Sequence, residues 1–169
     1  MATTIQNVRA MNNPQRAYEF EVEIYGGTFA GSLPILTQRV ETASLPGSSV
    51  DTIEVNFKGG KSIHAGRDSS AHTTTVTFYD DEANEVYKFF KKWKDGSIND
   101  PLTGAALTRD LYAGEMFIKT FAHDSTTVTA THKFTKIFPT EIGEVNLTYE
   151  SSEHIRFDVT FAFETHQIV

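Results

Sequence analysis

The chain has 169 residues, 15 Lys and Arg against 22 Asp and Glu, a net charge of −7 and no Cys. That acidity argues against an ordinary nucleic-acid-binding module, which neutralises phosphates with clustered Lys and Arg. The absence of Cys excludes disulfide scaffolds, Cys-based zinc sites and thiol catalysis. At 39% hydrophobic and 22% charged, the composition suits one globular domain over 1–169. No stretch approaches the roughly 18 apolar residues of a membrane span, and Met1–Arg9 lacks the basic and apolar regions of a secretion signal. A soluble chain made in the cytoplasm is the expectation, with no membrane insertion.

In chain order, residues 1–16 are polar, end at Asn12-Asn13-Pro14 and predict a flexible arm. Phe20, Val22 and Ile24 alternate with Glu19, Glu21 and Glu23, the period of a strand with one polar face. A second strand is expected over Ile35–Thr42, then a turn at Leu45–Ser49. Thr52–Phe57 alternates again, and the two segments predict a long hairpin. In this reading Ile53, Val55 and Phe57 face a core. Residues 59–72 hold three Gly and three Ser with only Ile63 as a large apolar side chain; they predict a long surface loop, and such loops are usually functional. Thr73–Tyr79 is Thr-rich and β-branched, a strand composition.

Ala83, Val86, Tyr87, Phe90 and Trp93 lie on one helical face. Asp80 to Glu82 stand at its start and Lys88, Lys91, Lys92 and Lys94 toward its end, complementing the helix dipole. Asp80 or Asp81 is the expected cap, with Gly96 as the left-handed stop. A loop over Ser97–Gly114 leads to strands expected at Glu115–Ala122, Thr127–Phe138, Glu144–Glu150 and Arg156–Glu164. The sum is mainly β, about eight strands in a sandwich or barrel with one flanking helix.

Catalytic motifs are absent from the sequence. The histidines His64, His72, His123, His132, His154 and His166 show no metal-binding spacing, although a hairpin could bring His123 and His132 together. Gly59-Gly60-Lys61-Ser62 lacks the upstream Gly and following helix of a phosphate loop, and no Gly-x-Ser-x-Gly elbow occurs. No enzyme activity and no cofactor are expected.

The segment Phe138-Pro139-Thr140-Glu141-Ile142-Gly143-Glu144-Val145-Asn146-Leu147-Thr148-Tyr149-Glu150 is similar to a stretch near the C-terminus of T-even-type contractile-phage tail tube proteins. The resemblance extends to Phe157–Phe163, Leu45-Pro46-Gly47, Gly66-Arg67 and Thr75–Asp80 with the helix that follows. Related tubes serve pyocins, contractile injection systems and type VI secretion. The resemblance implies hexameric rings stacked into a hollow tube, one sheet of each subunit joining a continuous barrel around the bore. The chain's partners would be further copies of itself, the tail sheath, baseplate, tape-measure and tail terminator proteins. DNA would pass without specific binding, and the site of action would be the virion tail.

On this reading Thr37, Arg39, Glu41, Glu54, Asn56, Thr127, Thr129 and Thr131 face the lumen. Asn12, Pro14, Arg16, Leu45, Pro46, Lys61, Ile63, Arg67 and Asp68 make ring-stacking contacts. The alternative is a soluble β-sandwich module binding a ligand or carbohydrate on a larger particle, with a small hydrolase third. Particle size separates the first two.

Overall fold

A computed structural model describes residues 5, 14–28, 32–145, 147–149 and 154–169. Its strands are β1 (Phe20–Tyr25), β2 (Val40–Ala43), β3 (Val50–Phe57), β4 (Gly60–Asp68), β5 (Thr73–Tyr79), β6 (Gly114–Phe121), β7 (Val128–Ile142), β8 (Arg156–Ala162) and β9 (Thr165–Ile168). Two α-helices, α1 (Glu85–Trp93) and α2 (Arg109–Tyr112), lie between β5 and β6. The strand order is β1-β6-β7-β8-β5-β2, with β9 also on β7, while among the described residues β3 and β4 pair only with each other.

The long strand β7 serves two sheets. From Val128 to Ile137 it pairs with β6, and from Phe138 to Ile142 with β8. Between these halves the register slips by one residue, Glu115 facing Thr135 and Gly114 facing Ile137. The extra residue, Lys136, has φ +53°, and a bulge of this kind bends a strand. The first sheet is therefore β1, β6, the start of β7 and β9; the second is the end of β7, β8, β5 and β2. Alternation sends Val22, Ile24, Met116, Ile118 and Phe134 inward from the first, and Val76, Phe78, Phe157, Val159 and Phe161 inward from the second.

Helix α1 closes the core from the flank with Val86, Phe90 and Trp93, all buried. The Phe90 ring lies 4.9 Å from Phe78 and 5.7 Å from Phe161. The cap residue is Asn84, in the left-handed region, and not the expected Asp80 or Asp81; Asp80 reaches the first turn from the end of β5, its carboxylate accepting from the backbone N–H of Val86 at 3.2 Å and of Tyr87 at 3.0 Å. Gly96 does not stop it. A π-turn, Lys94–Ile98, prolongs the helix and carries Ile98 against the core.

Four expectations are corrected. Residues 34–39 form a 3-10 helix and not the start of a strand, because Pro34 sets a helical φ and Leu36 is buried there. What remains, β2, pairs with β5 and not with Thr52–Phe57. Most of the expected loop 59–72 is strand β4, in register with β3 from Asn56 facing Lys61 to Thr52 facing Ala65. Lys58 at φ +44° and Gly59 at φ +82° make the two-residue turn whose twist suits a hairpin. Finally, residues 144, 145 and 147–149 are not strand; β7 uses the preceding segment up to Ile142, and Gly143 closes on Asp158 by a 2.7 Å backbone bond. Residues 146 and 150–153 lie outside the described residues.

The last strand was not expected. Short β9 is held on β7 by its register and by a histidine pair. His132 Nδ1 and His166 Nε2 are 3.0 Å apart, and the His166 ring stacks on Phe134 at 4.6 Å. Burial first, then the neighbouring His132, holds the His166 imidazole below its ordinary value. The unfolded chain then binds more protons than the folded one as pH falls below about 6.5. The stabilisation from this pair is present above that pH and is lost as pH drops through the lowered folded value.

Two measurements check this architecture. The amides of Thr165–Ile168 should exchange faster as pH is lowered below about 6.5, after correction for the intrinsic exchange rate, and His166→Gln should flatten that dependence. Gly114 sits where a Cβ would collide with the Tyr25 carbonyl oxygen. Urea unfolding should show Gly114→Ala destabilised by about 1–3 kcal/mol, whereas Gly47→Ala, with open space around it, should change stability by less than about 0.5 kcal/mol.

Candidate functional site

Two surfaces stand out from the residues upward. The first is the outward face of the second sheet. On β5, Val76 and Phe78 are buried, so Thr75 and Thr77 point out; on β8, Val159 and Phe161 are buried, so Asp158 and Thr160 point out. Register sets these side chains opposite one another: Thr42 faces Thr77, Thr77 faces Asp158 and Thr75 faces Thr160. Hydroxyls bridge the strands. Thr42 donates to Thr77 at 2.8 Å, Thr77 donates to Asp158 Oδ1 at 2.7 Å, and the Thr75 and Thr160 hydroxyls are 3.3 Å apart. On β7, Thr140 donates to the Thr160 carbonyl at 3.0 Å. The face is therefore four strands wide and largely hydroxyl-covered. At its margin Arg156 is paired with Glu41 at 3.3 Å.

The second surface is the β3–β4 ribbon. Its side chains are exposed on both faces, Gly66 alone being partly covered. Ile53 is 55% exposed, Val55 50%, Phe57 71% and Ile63 62%. This corrects the expectation that Ile53, Val55 and Phe57 enter the core. Alternation normally marks one buried face; here the same pattern belongs to a face left uncovered in a single copy.

The residues expected in the lumen do not share one face. Thr37 and Arg39 are on the 3-10 helix, where Arg39 meets Asp81 at 3.1 Å. Glu41 is the extra residue of a bulge in β2. Glu54 and Asn56 lie on the ribbon, Glu54 paired with Lys61 at 2.5 Å. Thr127 is in the turn before β7, tied to the Asp124 carboxylate at 2.6 Å. Thr129 and Thr131 are on the start of β7, in the first sheet. The threonine face itself was missed as a site, although Thr73-Thr74-Thr75-Val76-Thr77 already shows its alternation.

The residues expected at ring contacts cluster better. Lys61, Ile63, Arg67 and Asp68 are all on β4, and Leu45 and Pro46 are in the connection that leads into β3. Pro14 and Arg16 are exposed ahead of β1, with Arg16 on Glu19 at 3.3 Å; Asn12 lies outside the described residues. His123 and His132 do not meet. The register puts His132 opposite Ile118, and His123 lies 3.5 Å from Glu19 instead. Among the described residues no group of three or more His, Asp or Glu is arranged to hold a metal, and no helix is long and apolar enough to cross a membrane.

Comparison with known proteins gives one family. The model of a family described as phage tail tube protein matches residues 8–169. The tail tube protein gp19 of Enterobacteria phage T4 is 28% identical over 151 residues, 87% of this chain and 86% of that one; its counterpart in phage T6 matches equally. Among solved structures, the sheath/tube terminator of an extracellular contractile injection system superposes with a TM-score of 0.70 at 18% identity, over 95% of this chain and 99% of that one. The sheath-tube complex of such a system gives 0.67 at 15% identity, over 99% of each.

Proposed function

The chain belongs to the phage tail tube protein family, and from that premise we propose that six copies close each ring, that rings stack head to tail, and that the four-stranded threonine face lines the bore. The subunit is a structural component of the virion tail. The observation that carries the bore assignment is the width and chemistry of that face: four strands, hydroxyl-covered, with Asp158 as an outward charge.

Four strands from each of six subunits make about 24 in a closed barrel. At ~4.8 Å spacing and ~40° tilt the circumference is ~150 Å, the backbone diameter ~48 Å and the bore about 40 Å. Duplex DNA, roughly 20 Å across from its groove depths, passes freely. Fixed cations would hold phosphates through counterion release; this face is mostly hydroxyl, and Arg156 at its margin is paired with Glu41, so it conducts without gripping. Closing the barrel also satisfies the free edge of β2.

The ribbon and the connection at Leu45 and Pro46 make the contacts between rings. Its exposed apolar side chains have no partner in one copy and acquire one in the stack. The tube's surroundings are the tail sheath outside, the baseplate and terminator at its ends and the tape-measure protein inside. In support, solved structures of the same fold come from a sheath-tube complex, a terminator and a baseplate.

Purified protein should form rings or hollow tubes in negative-stain images; a strictly monomeric sedimentation profile at high concentration, with no filaments, would return the chain to the class of soluble binding modules. Replacing residues 53–64 by a short turn should leave the β spectrum and melting temperature nearly unchanged and abolish long tubes. Normal polymerisation of that variant overturns the ribbon's role.

Thr75→Lys combined with Thr160→Lys tests the bore. Tubes should still form, and short duplex DNA should be retained in low salt and released as salt rises. Unchanged DNA behaviour removes this face from the lumen, and failed assembly with intact folding places it in an interface.

A further inference from the structure

At the end of the second sheet where β2 begins and β5 ends lies a hollow of about 480 Å³, lined by Arg39, Glu41, Tyr79, Asp80 and His154. Aromatic and aliphatic surface floors it: the Tyr79 and His154 rings meet edge to face at 5.5 Å, and the Arg39 guanidinium lies over Tyr79 at 5.4 Å. Its charges are unevenly satisfied. Arg39 has Asp81, Asp80 is saturated by backbone N–H groups, and Glu41 Oε1 has Arg156. Glu41 Oε2, however, is buried with no hydrogen-bond partner. An enclosed carboxylate oxygen left unmatched is costly, and the missing partner must be a donor.

The ribbon tip offers one. Lys58 stands in the turn between β3 and β4, its ammonium 5.3 Å from the centre of the exposed Phe57 ring. It makes no ion pair among the described residues, unlike Lys61, which is bound to Glu54. The tip is thus an apolar ring beside a cation without an ion pair, and the hollow is an aromatic recess whose Glu41 carboxylate, paired with Arg156 through Oε1, keeps an enclosed and unmatched Oε2.

The topology keeps the two apart within one copy. β2 runs from the hollow, at Val40, to Ala43, and the chain then leaves through 44–49 into β3; β4 returns through 69–72 to Thr73, and β5 runs back to Tyr79 at the hollow. Ribbon base and hollow therefore occupy opposite ends of the same pair of strands. A strand of β3's length reaches roughly 26 Å, starting from the end of these strands remote from the hollow. A contact between unlike surfaces at opposite ends of a subunit is heterologous and repeats without limit.

We propose that the ribbon tip of one copy, Phe57 and Lys58, seats in the Arg39–Glu41–Tyr79–Asp80–His154 hollow of the next, with Lys58 supplying the partner that Glu41 Oε2 lacks. This rests on the ribbon being the contact between rings and names the surface that receives it. Phe57 fills the recess against Tyr79 and His154, and Lys58 moves from cation–π contact with its own ring to a charge-assisted bond. The contact has a direction, so it sets the polarity of the stack.

The test uses the full-length chain with Phe57 replaced by the photo-crosslinking amino acid p-benzoylphenylalanine, a substitution on an exposed ring that spares the core. Irradiated tubes should yield intermolecular cross-links that map to peptides containing Arg39 to Glu41, Tyr79 and Asp80, or His154. Cross-links to the opposite end of the neighbour, around Arg16, Glu19 or Leu45, overturn the pairing, as does an assembled tube with no intermolecular product at position 57. Because the chain has no Cys, a second readout is available. Lys58→Cys with His154→Cys, oxidised in assembled tubes, should give a ladder well beyond dimers on a non-reducing gel, and neither single variant should. Dimers alone, or no product, contradict a head-to-tail contact. Loss of tubes on removing the ribbon, without cross-links to the hollow, would leave the ribbon's role standing and sink only this receptor.

Discussion

The bulge at Lys136 is the constraint on which the rest of the molecule depends. A strand of 15 residues cannot stay in one twisted sheet and also bury side chains on one side throughout. One extra residue with positive φ turns it, so that β7 ends one sheet and begins the other. Both halves then aim their apolar positions at a shared interior, and the corner needs no loop. The cost falls on the neighbour: the β6 residue opposite the bulge is Gly114, and the Tyr25 carbonyl is so close that no side chain fits. The sandwich, the site where α1 docks and the separation of two outward faces all follow from this bend.

Once the bend has been made, the outward faces differ in chemistry. The first sheet carries charges paired across strands, Lys119 with Glu23 at 2.6 Å and Lys133 with Glu115 at 3.2 Å. The second carries hydroxyls bonded to one another. Salt screens charge pairs on a surface; hydroxyls carry no net charge, and the Asp158 carboxylate among them repels a polyanion. The second face has the fewer fixed charges of the two, and that difference is what the bore proposal rests on.

Where one face of an element is buried inside a single copy, the sequence is a good guide. β1, β5, β6, β8 and α1 lie near where periodicity puts them, because Val22, Val76, Met116, Phe157 and Phe90 each meet the core. The resemblance to tail tube proteins was legible too, since the family model matches nearly the whole chain. The ribbon defeated both habits of reading. Ile53, Val55 and Phe57 alternate as core residues do, yet are exposed; Gly60 to Asp68 shows little apolar alternation because neither of its faces is buried in a monomer. Pro34 and Leu36 hid a 3-10 helix inside an expected strand. The threonine face was readable as a strand but not as a site, because a hydroxyl at an outward position looks the same whether it meets bulk water or a bore.

That failure carries a physical lesson about assembly. Val50, Ile53, Val55, Phe57 and Ile63 are all at least half exposed, and a soluble monomer seldom leaves so much apolar surface on one ribbon. At ~25 cal/mol per Å², covering it would contribute several kcal/mol per copy, set against the freedom lost on docking. The exposed side chains are held on a ribbon whose backbone bonds are already made, so docking need not fold it first. The charged tip then limits where it can dock, because Lys58 loses solvation in any recess that offers no carboxylate. Apolar area supplies the drive, and the charge at the ribbon tip narrows the set of recesses in which that area can be covered.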